Sequence, residues 1–123
     1  MREIHDHKSH IQGDASDQIR VFALDEPGPG GACHAYGIDL GDGEALCASI
    51  ALQKGPLQEN AYNGCSNESL LAVVIDRLKG FQSGPHACRE NALALTKVQE
   101  AMMWLHQRTR DRLARSVERT SKA

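Results

Sequence analysis

Leu70-Leu71-Ala72-Val73-Val74-Ile75-Asp76-Arg77-Leu78-Lys79-Gly80-Phe81-Gln82-Ser83-Gly84-Pro85 joins an apolar helical run to a glycine-bounded elbow. Leu70, Leu71, Val74, Ile75 and Leu78 recur at helical spacing and make one apolar stripe, the mark of an amphipathic helix. Just upstream, Ser66 or Asn67 can cap that helix, because either side chain accepts a bond from a free backbone N–H. Glu68 suits the positive end of the helix dipole. Gly80 is expected to end the helix from the left-handed position after the last turn. Gly80 to Pro85 then forms a tight elbow, with Pro85 suited to the first turn of a second helix.

That second helix is expected from about His86 to Arg115. Cys88, Ala92, Leu95, Val98, Met102 and Leu105 follow the helical period and face the core. At 1.5 Å per residue it is about 45 Å long, more than a small sheet or a 14-residue partner helix covers. Its far end, with Ala101-Met102-Met103-Trp104-Leu105, therefore projects or packs on another chain. For Met102, Met103 and Trp104, core or dimer packing is the plain reading and ligand stacking the other.

Working upstream, the pattern changes from a period near four to a period of two. Ile19 to Leu24 alternates as a short strand, and Asp25-Glu26-Pro27-Gly28-Pro29-Gly30-Gly31 breaks it. That glycine-rich loop lacks the third glycine of a dinucleotide fingerprint and any Gly-Lys-Ser/Thr, so it reads as a connection. Cys33 to Leu40 is a second strand, with His34, Tyr36, Ile38 and Leu40 on one face. Gly41-Asp42-Gly43-Glu44 is a hairpin turn, because Asp-Gly takes positive φ at little cost. Ala45 to Gln53 returns, with Leu46, Ala48, Ile50 and Leu52 turned inward. The sheet has one apolar face, and the helices are the cover the chain offers for it. Lys54 to Cys65 is a loop. Met1 to Asp17 is polar, without apolar period, and reads as a mobile arm. Its His5, His7 and His10 lack a rigid frame for a metal.

The fold class is α+β: a small N-terminal antiparallel β-sheet followed by a two-helix hairpin with a long C-terminal helix. Residues 1–17 are the arm, 18–65 the sheet part and 66–123 the hairpin part of a single domain. The 123 residues suffice for one modest core. A hydrophobic share of 41% and a charged share of 24% are ordinary for a soluble protein. The longest apolar run falls far short of the roughly 20 residues of a membrane span. Cys33, Cys47, Cys65 and Cys88 contain no Cys-x-x-Cys pair and follow no signal peptide, which fits free thiols in a reducing cytoplasm. Net charge is −2, so the whole molecule is not a polyanion binder. The charge is uneven: residues 106–123 carry an excess of four positive charges and the remainder an excess of six negative ones.

The chemistry sits at the two ends of the long helix. Arg108, Arg112 and Arg115 fall at i, i+4 and i+7 and share one face, while Arg110 points elsewhere. Guanidinium groups bind phosphate oxygens bidentately, and neighbours on one face can hold a phosphate pair. A solvated charged face is the plain alternative, but Asp111 and Glu118 are too few to neutralise five arginines. Phe81, in a polar elbow, either staples the hairpin or offers a stacking face for a base. Asn91 has an amide suited to a base edge or ribose, and equally to a structural bond. The serines have no placed His and Asp, no carboxylate pair lies in an apolar setting, and no metal or cofactor motif is present, so the chain does not read as an enzyme.

The run Asn63-Gly64-Cys65-Ser66-Asn67-Glu68, Ile75-Asp76-Arg77-Leu78, Phe81-Gln82-Ser83-Gly84-Pro85, Cys88-Arg89-Glu90-Asn91-Ala92-Leu93-Ala94-Leu95 and Trp104-Leu105-x-x-Arg108-Thr109-x-x-Arg112 resembles the phage Thoeris anti-defence sponge proteins. Their C-terminal helical hairpin is shared with sponges that counter CBASS. The resemblance covers about two-thirds of the chain. It implies a protein without catalysis that captures glyco-cyclic ADP-ribose in the cytoplasm of an infected bacterial host and so keeps an immune effector off. It implies a homodimer, or a homohexamer built as a trimer of dimers. Phe81 would stack the adenine, Asn91 would hydrogen-bond the ligand, and Arg108 and Arg112 of the dimer partner would hold the pyrophosphate. A second site for cyclic di- or trinucleotides is assigned to Arg115 and Arg119. Many relatives read Gly-Val-Glu-Gly-Thr where this chain has Ser116-Val117-Glu118-Arg119-Thr120, which removes the close backbone approach that glycine permits. Neither a membrane nor DNA or RNA is an expected partner. The two competing classes are a small nucleic-acid binder using the basic helix, which the acidic remainder opposes, and an assembly adaptor without a small ligand.

Overall fold

A computed structural model of the chain describes residues 1–41, 46–56 and 61–122, with side chains as far as Ser116. The chain forms two compact units, Met1–Ser66 and Asn67–Ala123.

The first unit is an antiparallel meander of four strands in sequence order: β1 (Arg2–Ile4), β2 (Arg20–Ala23), β3 (Ala35–Asp39) and β4 (Leu46–Ala51). The last three lie inside the segments that the period of two marks out. Val21, Ala23, Tyr36 and Ile38 share one face through the pairs Val21↔Ile38 and Ala23↔Tyr36, and Ala23 is fully buried. On the opposite face Phe22 lies across from Gly37 and is buried, with the Arg20 guanidinium 4.8 Å from its ring centroid. The Asp42-Gly43 turn expected between β3 and β4 lies outside the described residues.

The alternation expected along the returning strand is interrupted. Ile38 pairs with Ala48 but Asp39 pairs with Leu46, so Cys47 is an extra residue, a β-bulge. A bulge reverses the in–out pattern on one side of itself. Leu46 is therefore not on the face of Ala48 and Ile50. It lies over Gly37, where an added Cβ would come 3.0 Å from its methyl carbons and 3.3 Å from Leu24 Cδ1. Gly37 leaves the room those two leucines fill.

Nor is the N-terminal segment simply an arm. Glu3 pairs with Phe22 across the sheet, and its carboxylate accepts from Arg20 at 3.2 Å. The Asp17 carboxylate accepts the backbone N–H groups of Ser9 (2.9 Å) and His10 (2.8 Å), while Lys8 Nζ donates to the Asp17 carbonyl at 2.7 Å. His7 Nε2 donates to the Ile19 carbonyl at 2.8 Å. Polar composition suggested mobility, but here polar side chains hydrogen-bond the backbone and shape a fold that needs few apolar contacts.

The second unit is the helical hairpin, α1 (Asn67–Gln82) and α2 (Arg89–Lys122). Half-buried positions on α1 (Leu71, Ile75, Leu78, Gln82) and on α2 (Asn91, Leu95, Val98, Met102, Leu105) alternate by three and four residues. Such seams pack two helices side by side. Gly80 does not end α1. The Ser83 N–H still bonds to the Lys79 carbonyl at 3.1 Å, and the Ser83 hydroxyl donates to the Gly80 carbonyl at 2.9 Å. Termination falls just before Pro85, which disfavours helical backbone in the residue preceding it.

Candidate functional site

Because α1 runs through Gln82, Phe81 belongs to its last turn rather than to a free elbow. The ring is 39% exposed. Arg77, one turn earlier, places its guanidinium 5.4 Å from the ring centroid. Leu70, Val73, Val74, Arg77 and Phe81 fall on one flank of α1, and Val73 and Val74 are exposed with Phe81. Sequence reasoning put Val74 in the inward stripe. The inward seam runs instead through Leu71, Ile75, Leu78 and Gln82.

The elbow is closed by side-chain caps. Gln82 Oε1 accepts the Cys88 N–H at 3.1 Å. The Cys88 thiol then takes the capping place for α2: its sulfur accepts the Asn91 N–H at 3.4 Å, while its carbonyl accepts the Ala92 N–H at 3.1 Å. The second helix thus begins at Arg89, a few residues later than expected, and Cys88 caps it instead of lining its core side. Asn91 comes into the first turn, at the elbow end with Phe81. It stands on the seam towards α1, half-buried, and among the described residues nothing hydrogen-bonds its side-chain amide. A polar amide held at a seam without a partner is open to a ligand.

Arg108 and Arg112 are exposed one turn apart in the second half of α2, which continues past Arg115, where the sequence pattern ended it, to Lys122. Gln107 engages the nearby carboxylate, its Nε2 donating to Asp111 at 2.9 Å, and its Oε1 accepts from Arg110 Nε at 3.4 Å. Among the described residues, Arg108, Arg112 and Arg115 have no carboxylate partner. Three cations on one face without a carboxylate partner among the described residues favour an external anion. Trp104 precedes Arg108 by one turn, and its side chain is 62% exposed, so it is not part of the hairpin's own seam. Leu113 prolongs the inward seam past the reach of α1 and is 61% exposed. The sequence signal for Trp104 was its i, i+4 spacing to Arg108. The Arg119 side chain lies outside the described residues.

One hairpin does not unite these groups. From Asn91 to Arg108 the helix rises about 26 Å, and to Arg112 about 32 Å. Phe81 and Asn91 form one end, Arg108 and Arg112 the other. Among the described residues no cluster of His, Cys, Asp or Glu could hold a metal, and no helix is long and apolar enough to cross a membrane.

A long antiparallel hairpin with these features is a known protein class. The family described as Acb2/Tad1, hairpin domain, matches residues 48–110, half of the chain, and the chain belongs to that family. The match includes Phe81, Asn91 and Arg108 and stops short of Arg112. A curated relative, Thoeris anti-defense 1 of Bacillus phage SBSphiJ7, is 51% identical over 73 residues, which is 59% of this chain. The match spans about half (51%) of that relative's own length.

Proposed function

We propose that the protein is a phage anti-defence sponge that binds glyco-cyclic ADP-ribose and holds it unchanged, so that a Thoeris effector is not switched on. The observation that carries this reading is the face of Arg108, Arg112 and Arg115 on α2, which have no carboxylate partner among the described residues, in a chain of the Acb2/Tad1 hairpin family. The relative's name supplies the anti-defence role. The helix length supplies the architecture: Phe81 and Asn91 are too far from Arg108 and Arg112 along one hairpin, so the pocket is completed by a second copy. Phe81 stacks the adenine, Asn91 hydrogen-bonds the base or ribose, and the partner's arginines neutralise the pyrophosphate. The exposed Trp104 and Leu113 belong to surfaces that a homodimer, or a trimer of dimers, covers. A second site for cyclic oligonucleotides, and inhibition of CBASS, would draw on Arg115 and Arg119. The protein acts in the host cytoplasm, where the signal is made.

Calorimetric titration with glyco-cyclic ADP-ribose, followed by chromatography of the heat-released ligand, tests the proposal. Tight binding with the ligand recovered intact is expected. Absence of binding, or recovery of a hydrolysed ligand, overturns it.

A further inference from the structure

Where a helix starts with a reciprocal cap, two side chains trade bonds. The capping side chain accepts the N–H of the third helical residue, and the side chain of that third residue reaches back to the N–H of the capping residue. In α2 the capping residue is Cys88 and the third residue is Asn91. Half of the exchange is present, since the Cys88 sulfur accepts the Asn91 N–H at 3.4 Å. Asn91 does not return it. The Cys88 N–H goes instead to Oε1 of Gln82, the last residue of α1, at 3.1 Å.

With that donor already taken, the Asn91 amide has no capping duty, and it forms no hydrogen bond among the described residues. Asparagine side chains readily bond nearby backbone N–H groups, so a free Cys88 N–H would compete for this one. Gln82 is well placed to hold the donor. It is half-buried on the seam that α1 turns towards α2. The backbone of the elbow is braced as well: the Phe81 carbonyl accepts the Gly84 N–H and the Gly84 carbonyl accepts the Ala87 N–H, each at 3.3 Å. Successive side chains of a helix point about 100° apart. The Phe81 ring therefore looks out from the flank of α1 while the amide of its neighbour Gln82 reaches across the seam to the start of α2.

We propose that Gln82 is a positioning residue for the hairpin ligand. By engaging the Cys88 N–H from α1, it anchors the first turn of α2 and leaves the Asn91 amide free for a ligand stacked on Phe81. Gln82 itself does not touch the ligand. This inference rests on the reading of the hairpin as a glyco-cyclic ADP-ribose pocket.

Calorimetry with glyco-cyclic ADP-ribose on four full-length chains tests it: wild type, Gln82→Met, Asn91→Ala and the double variant. Gln82→Met keeps the length of the side chain and removes the amide acceptor, and circular dichroism checks that the helices remain. It should weaken binding at least about fivefold, because losing the anchor lowers the population of the binding-ready arrangement. In the Asn91→Ala background the same substitution should weaken binding no further, since Gln82 acts through Asn91. A role in hairpin stability alone would add in both backgrounds. Amide exchange of the ligand-free chains gives a second readout. Protection of the Cys88 N–H should fall from wild type to Gln82→Met, where the Asn91 side chain takes over part of the bond, and fall again in the double variant. Equal affinity of wild type and Gln82→Met, an equal loss in both backgrounds, or the same Cys88 protection in Gln82→Met and the double variant would each overturn this inference alone. A wild-type chain that binds no ligand would overturn the pocket reading and this inference with it.

Discussion

Arg77 lies over the ring of Phe81, its guanidinium carbon 5.4 Å from the centroid, one helical turn away on the same flank of α1. The contact presents the ring as a prepared platform: one face is engaged by a cation and the ring is still 39% exposed. Phe81→Ala should weaken glyco-cyclic ADP-ribose binding by about 1–3 kcal/mol, the scale of base–aromatic stacking. Arg77→Ala should cost about 0.5–1 kcal/mol of hairpin stability, as for an exposed cation–π pair. Isothermal calorimetry and thermal melts separate the two effects. An unchanged affinity in Phe81→Ala removes the ring from the site.

The rise of α2 makes a sharper statement about assembly. Arg108→Ala and Phe81→Ala should each weaken both pockets of a pure dimer, the former by at least about 1.5–3 kcal/mol of charged hydrogen bonding. Co-expressed and purified as a mixed dimer through two different tags, the same two defective chains should regain one pocket per dimer, because one chain keeps Phe81 and the other keeps Arg108. No recovery in the mixed dimer would show that each pocket is built within a single chain.

Trp104, 62% exposed, is poorly placed in an isolated hairpin. Trp104→Glu should lower the assembly state by at least one step in light scattering, without loss of helical circular dichroism. An unchanged mass would remove Trp104 from the interface.

In the sheet unit, Gly64 passes so close to β4 that an added Cβ would lie 2.6 Å from the Leu52 carbonyl oxygen and 2.7 Å from that of Ala51. Neither atom can swing aside, because both belong to backbone. Gly64→Ala should therefore destabilise the chain by about 1–3 kcal/mol. Urea unfolding gives the value, and a midpoint equal to wild type would contradict the close approach.

Acid should loosen the same unit. Backbone N–H bonds, that of Ser9 foremost, hold the Asp17 carboxyl below its ordinary value. Desolvation pushes the Asp25 carboxyl up, but the bonds from His34 and Ala35 outweigh it and leave it low as well. Groups depressed in the folded chain stabilise it above their unfolded value, and that advantage fades as pH falls through the lower, folded value. Amide exchange at Ser9, His10, His34 and Ala35 should accelerate as pH drops below the ordinary carboxylate range, after correction for intrinsic rates. Asp25→Asn, with no charge to titrate, should flatten the response at His34 and Ala35.

Much of the hairpin was legible because a helix writes its burial into the chain locally. Leu71, Ile75 and Leu78 must recur every three or four residues if one side is to be apolar, whatever lies across from them. The arginine face was legible for the same reason. Gly80 misled: a glycine signals freedom to leave a helix, but Pro85 decided where α1 stops. The bulge at Cys47 was illegible, since an extra residue in a strand has no signature until its neighbour fixes the register. Likewise Arg2–Ile4 is too short to alternate and became a strand only by pairing with Val21 to Ala23.

The α+β class, three of the four strands, the two helices and the cations of the long one were thus all written into the chain locally. These follow from periodicity and charge, which are properties of adjacent residues. Folding had to supply the turn of Leu46 towards Gly37, the Cys88 cap on α2 and the placing of Arg77 over Phe81. It alone brought His34 and Lys54 together beside Gly28. Those are distances between residues from separate segments or separate turns, and they exist only once hydrogen bonds and packing have closed the loops between them.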